Sequence, residues 1–170
     1  MFRPVLQQMN VKVKPFVLVL FMVLIPGVVA SQSDDHILPI PDVSLQPGDI
    51  VKIVLDALAN NDYPFPDAGI ETTFNFASPA NKSNTGPLER FAQMVKGPVF
   101  RTMLGHESYE VSEVVMNENR AYQLIRLITA NGTEVHFAFR LGLQVEGEYK
   151  GMWMTEAVWP VDSIVQGLDV

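Results

Sequence analysis

The sequence predicts an α+β fold in which a set of N-terminal helices packs against a four-stranded antiparallel meander. Two observations predict it. Up to Leu104 the apolar residues recur at helical spacing, and from Tyr109 onward they alternate. The alternating runs are separated by turn dipeptides, Asn131-Gly132 foremost. Helices first and paired strands afterwards is the order of an α+β domain, not of a strand–helix repeat.

Ahead of the domain, Lys12 and Lys14 precede ten uncharged apolar residues, Phe16 to Ile25, and Pro26-Gly27 then breaks the run. Val28-Val29-Ala30 places small residues where a cleavage site needs them. Basic, apolar, small is the order of a secretory signal peptide, so residues 1–30 read as a leader cleaved after Ala30, delivering a secreted, periplasmic or lumenal domain. An uncleaved membrane anchor is the alternative, although the apolar stretch falls short of the roughly 20 residues that span a bilayer. Residues 31–46, with Pro39, Pro41, Asp34, Asp35 and Asp42, read as a flexible spacer. The domain then covers 47–162 and a tail covers 163–170.

The formal charge is −7, and it becomes −10 once the cations of the leader, Arg3, Lys12 and Lys14, are removed. Such a domain repels phosphate backbones and anionic lipid, which argues against nucleic-acid and membrane-surface partners. Cysteine is absent. Stability outside the cell must therefore come from the core and the sheet, without disulfides or a thiolate metal site.

Residues 47–60 carry Ile50, Val51, Val54, Leu55 and Leu58 on one helical face, with Pro47 suited to the first turn. Tyr63-Pro-Phe-Pro-Asp-Ala-Gly69 is a breaker. Ile70, Phe74 and Ala77 predict a shorter second helix ending near Pro79, and residues 80–86 read as a polar loop. Residues 87–96 predict a helix with Leu88, Phe91, Met94 and Val95 inward, followed by a helical turn over 99–104. Four strands are then predicted, over 109–116, 120–129, 133–144 and 148–159. They are joined at Asn117-Glu-Asn119, Asn131-Gly132 and Glu146-Gly147.

Turn positions set register. With Asn131-Gly132 as a two-residue loop, Tyr122, Leu124 and Ile128 share a face with Val135, Phe137, Phe139 and Leu141. With Glu146-Gly147 as the next loop, Met152, Met154 and Glu156 join that face. Arg126 and Glu156 then flank Phe137 at about 10 Å between their Cβ atoms. They form either an ion pair at the rim of the core or a polar spot in an apolar ligand pocket. The opposite face carries Gln123, Ile125, Leu127, His136, Arg140, Tyr149, Trp153, Thr155 and Trp159, an aromatic mixture suited to a homodimer contact.

No phosphate-loop, dinucleotide or HExxH motif occurs, so no cofactor and no metal is expected. His36, His106 and His136 fall in different elements, and no Ser-His-Asp set follows from spacing. His106 is the histidine placed to face a pocket mouth. Asn81-Lys82-Ser83 and Asn131-Gly132-Thr133 match the glycosylation triplet, and the second has a turn to explain its Asn.

Ala77-Ser-Pro-Ala-Asn-Lys82, Thr85-Gly-Pro-Leu-Glu-Arg-Phe91, His106 with Ser108-Tyr-Glu-Val111, and Gly151-Met-Trp-Met-Thr-Glu156 carry a resemblance. Over residues 45–162 the chain resembles domain of unknown function 4864. The resemblance implies a cone like that of nuclear transport factor 2 and the cystatin-like superfamily, with helices packed into a curved antiparallel sheet. It implies no reaction and no catalytic residue. Function read from that fold is analogy, because the fold serves isomerases, dehydratases, ligand binders and dimerisation modules.

The expectation is an exported, non-catalytic module that binds a small apolar ligand, with Tyr122, Arg126, Phe137, Phe139, Met154, Glu156 and His106 around it. The alternatives are an isomerase or dehydratase using Glu156 as a carboxylate base in an apolar cone, and a structural dimerisation domain.

Overall fold

The structure, a computed structural model, describes residues 37–161. The expected leader and cleavage site, His36 and residues 162–170 lie outside the described residues.

The first helix, α1, spans Pro47–Ala59. Pro47 fills its first turn, and the Asp49 carboxylate accepts the Gln46 backbone N–H at 2.9 Å, closing its N-terminus. The predicted stripe of Ile50, Val51, Val54, Leu55 and Leu58 is buried. Helix α2 spans Ala68–Asn75 and crosses α1 at Gly69, where a Cβ would collide with the Ala57 carbonyl. Residues 80–86, expected as a polar loop, are helical instead: α3 spans Pro79–Thr85. The cause is local, because Ser78 Oγ accepts the Asn81 N–H at 3.1 Å and Pro79 supplies a helical φ in the first turn. Helix α4, Leu88–Val95, buries Phe91 and Val95 and leaves Met94 exposed. A single 3-10 turn covers Arg101–Met103.

The sheet is antiparallel and open, and it has five strands rather than four. The first predicted strand divides into β1, Ser108–Val111, and β2, Val115–Asn117, both paired with β3, Arg120–Ile128. The break is held by Ser112, whose backbone N–H reaches Leu124 O while its Oγ accepts Leu124 N–H. Strands β4, Glu134–Leu143, and β5, Trp153–Pro160, complete the order β1-β3-β4-β5. Along the free side of β5, Thr155 N–H donates to Phe76 O at 2.8 Å and Ser78 N–H to Thr155 O at 2.9 Å. This one-residue parallel bridge at Ala77 ties the helical layer to the sheet.

The β3–β4 register differs from the expected one by a single residue. The loop holds three residues, Ala130-Asn131-Gly132, because Thr129 N–H bonds Thr133 O and Gly132 N–H bonds Thr129 O. Gly132 takes the positive φ of 79°, as three-residue hairpins require. Thr129 Oγ1 accepts the Thr133 N–H and so braces this wider turn. Ile125 then faces Phe137, Leu127 faces Val135, Gln123 faces Phe139 and Ala121 faces Leu141. The inward face of β4 is the expected one, but β3 is inverted. Tyr122, Leu124, Arg126 and Ile128 point away from the helices.

Strand β5 also departs from expectation. A long connection replaces the two-residue Glu146-Gly147 loop, closed by Gln144 N–H on Met152 O and Gly151 N–H on Gln144 O. Trp153 faces Leu143, Met154 faces Gly142 and Thr155 faces Leu141. A bulge follows, Glu156 being the extra residue, and Ala157 then faces Arg140. Trp153, Thr155 and Val158 therefore look inward, while Met154 and Glu156 look outward. Phe137 faces Pro160, not Glu156. The core lies between the helices and the inner sheet face, with Ile50, Leu55, Ile125, Leu127, Phe139 and Leu141 at 0–1% exposure.

Candidate functional site

A cavity of about 250 Å³ opens between the helices and the β5 side of the sheet. Its walls are apolar: Val54 and Leu58 from α1, Phe91 from α4, Phe100 beyond it, Phe139 from β4 and Val158 from β5. Asn81, Asn84 and Thr85 from α3 give it one polar side. Helix α3 is placed there by the Ser78 cap and by Asn81 Nδ2, which donates to Thr155 O at 3.1 Å.

Thr155 stands where the polar side meets the sheet. Its backbone is fixed by the two Ala77-bridge hydrogen bonds, and its β-branched side chain has little rotamer freedom. The residue is 4% exposed, yet Thr155 Oγ1 has no hydrogen-bond partner among the described residues. The other cavity hydroxyls are engaged within their own helices: Thr73 Oγ1 donates to Gly69 O and Thr85 Oγ1 to Asn81 O. A buried hydroxyl without a partner is costly.

Glu156 reaches the cavity wall, but its carboxylate turns the other way. It lies across Gly142, where any Cβ would collide with it. Its Oε2 is 3.0 Å from Arg140 Nε and 4.0 Å from Arg120 Nε. The Arg140 contact joins two charges without an aligned N–H, since Arg140 Nε makes no hydrogen bond. The bulge explains this placement by turning the Glu156 side chain to the same outer face as Arg140.

Of the residues singled out from the sequence, Phe139 stands in the cavity wall. Phe137 is buried on the same inner face but stacks on Phe100, with ring centroids 6.2 Å apart. Met154 is fully buried and lies off the cavity. Tyr122 and Arg126 are on the outer face, so the expected Arg126–Glu156 pair across Phe137 does not form. Arg126 instead bonds Glu110 at 2.7 Å and Glu134 at 2.9 Å. Its hydrogen bond to Glu134 raises the guanidinium pKa further and holds the Glu134 carboxyl below the usual range.

His106 is buried beside the 3-10 turn, away from the cavity wall. Its Nδ1 lies 2.8 Å from Met103 O, which places the ring proton on Nδ1, and Nε2 has no partner among the described residues. The ring meets Tyr109 edge-on. Tyr109 donates to Asp56 Oδ1 at 2.8 Å, and burial, aided by that bond, pushes its pKa up to about 12.

Sequence reasoning missed Thr155 and the polar side formed by α3. Ser78-Pro79 was a readable helix start. The long connection that sets Thr155 opposite Leu141 had no comparable signal.

The family described as Domain of unknown function (DUF4864) matches residues 46–163. The chain belongs to the DUF4864 family. No curated protein and no solved structure matches it. Among the described residues, the DUF4864 span contains all four α-helices, all five strands and every residue of the cavity wall.

Proposed function

We propose that this DUF4864 protein is a non-catalytic binding domain for a small, largely apolar molecule held between the helices and the sheet. The observation that carries the reading is the apolar cavity, whose wall includes Thr155, a buried residue with an unpartnered hydroxyl. Concave, mainly apolar sites with a few placed polar groups are the usual form of small-molecule sites. Helices over one face of an antiparallel sheet with a cavity between them also support the nuclear transport factor 2-like cone as the superfamily. The basic, apolar, small order of residues 1–30 supports action outside the cytoplasm.

The enzymatic alternative relied on Glu156 as a base inside the cavity. Its carboxylate is on the outer face against Arg140, which favours binding over catalysis.

Native mass spectrometry of the purified protein, before and after denaturation, tests the proposal. A co-purifying small molecule released on denaturation is expected. A protein that stays ligand-free from every source and binds nothing from a small-molecule panel contradicts it.

A further inference from the structure

The character of the cavity narrows its ligand, an inference that rests on the binding reading above. We propose that the site selects a neutral molecule, an apolar body carrying one hydroxyl or amide that bonds Thr155 Oγ1, and discriminates against ionised head groups.

Three observations lead there. Glu156 is the one ionisable residue among the described residues that reach the cavity, and its carboxylate is committed to Arg140 and Arg120 on the other side of the sheet. A charged head group would therefore lose its water without meeting an opposite charge. Second, the polar side chains that reach the cavity are neutral: Thr73 and Thr85 donate within their helices, Asn81 Nδ2 donates to Thr155 O, and Asn84 is exposed at the rim. Among the buried ones that leaves the Thr155 hydroxyl, which both donates and accepts and is complementary to a head group of the same kind. Third, the cavity of about 250 Å³ lies just below the usual range for drug-sized ligands and suits a short chain or a single substituted ring.

Three probes of equal chain length separate the possibilities: 1-octanol, octanoate and octylammonium, each titrated at pH 7 and followed through the amide signals of Thr155, Ala157 and Val158. The expected result is saturable binding of 1-octanol at those amides, with both ions weaker by at least about tenfold. Thr155→Val weakens 1-octanol about tenfold, and Thr155→Ser, which keeps the hydroxyl, restores most of the affinity. Octanoate or octylammonium binding as tightly as 1-octanol overturns the neutral-ligand inference and leaves the cavity reading standing. So does an unchanged 1-octanol affinity in Thr155→Val. If none of the three probes moves those amides, the binding reading falls, and this inference with it.

Discussion

The inner and outer faces of the sheet are built from the same strands but organised by different forces. On the inner face of β3, Ala121, Ile125 and Leu127 are fully buried under the helical layer. On its outer face Tyr122, Leu124 and Ile128 are half-buried and share the surface with two charge groupings, Glu110–Arg126–Glu134 and Arg120–Arg140–Glu156. Area removed from water sets the stability of the first face, whereas exposed ion pairs contribute little to the second. The difference teaches why register is well specified here. A slip of one residue would move Arg126 under the helices and expose Ile125 and Leu127, exchanging burial for an unpaired interior charge.

Neighbouring residues on opposite faces offer the sharpest way to break this comparison. Ile125→Ala is expected to cost about 2–5 kcal/mol by denaturant unfolding, and Leu124→Ala under about 1 kcal/mol. Equal losses would mean that the two faces are not distinguished by burial. A smaller effect of opposite sign is expected at the cavity. Thr155→Val removes a buried hydroxyl that has no partner, so it should stabilise the unliganded protein by about 1 kcal/mol while weakening ligand binding. A destabilised variant would show that the hydroxyl already bonds within the fold.

The faces should also titrate at opposite ends of the pH scale. Tyr109, against α1 on the inner side, has its pKa raised to about 12, chiefly by burial. Its contribution is fully present below the unfolded value near 10 and is lost as pH rises toward 12. Thermal melts with an ultraviolet tyrosinate readout should show destabilisation and Tyr109 ionisation together, and Tyr109→Phe should remove that alkaline step. On the outer face the Glu134 carboxyl is held down by Arg126. Its small contribution is present above the ordinary carboxylate range, disappears as pH falls through the lowered value, and is screened by salt. An acid step that persists in 1 M salt would contradict an exposed pair.

Much of the architecture was legible in the sequence. The stripe on α1 and the alternation in β4 carry one strong period each, and both bury the expected residues. Strand β3 is apolar in both phases, Tyr122, Leu124 and Ile128 in one, Ala121, Ile125 and Leu127 in the other. The alternation therefore left the choice of face to the length of the loop. Thr129 and Thr133 close three residues rather than two, and this single residue inverted the reading of Tyr122 and Arg126. The candidate site was legible at Phe139, which shares the face of β4 that any helical layer must cover. It was hidden at Thr155, whose direction depends on the long connection before β5, and at Glu156, the extra residue of the bulge. Both are set by tertiary packing, not by a local sequence period.

A crystal structure of the protein as purified, at a resolution that shows bound small molecules, tests the central claim most directly. The account predicts ligand density in the cavity beneath Phe91 and Phe139, with one polar atom within hydrogen-bond distance of Thr155 Oγ1. Aromatic side chains closed over the space, with the Thr155 hydroxyl bonded to the protein's own backbone, would contradict it.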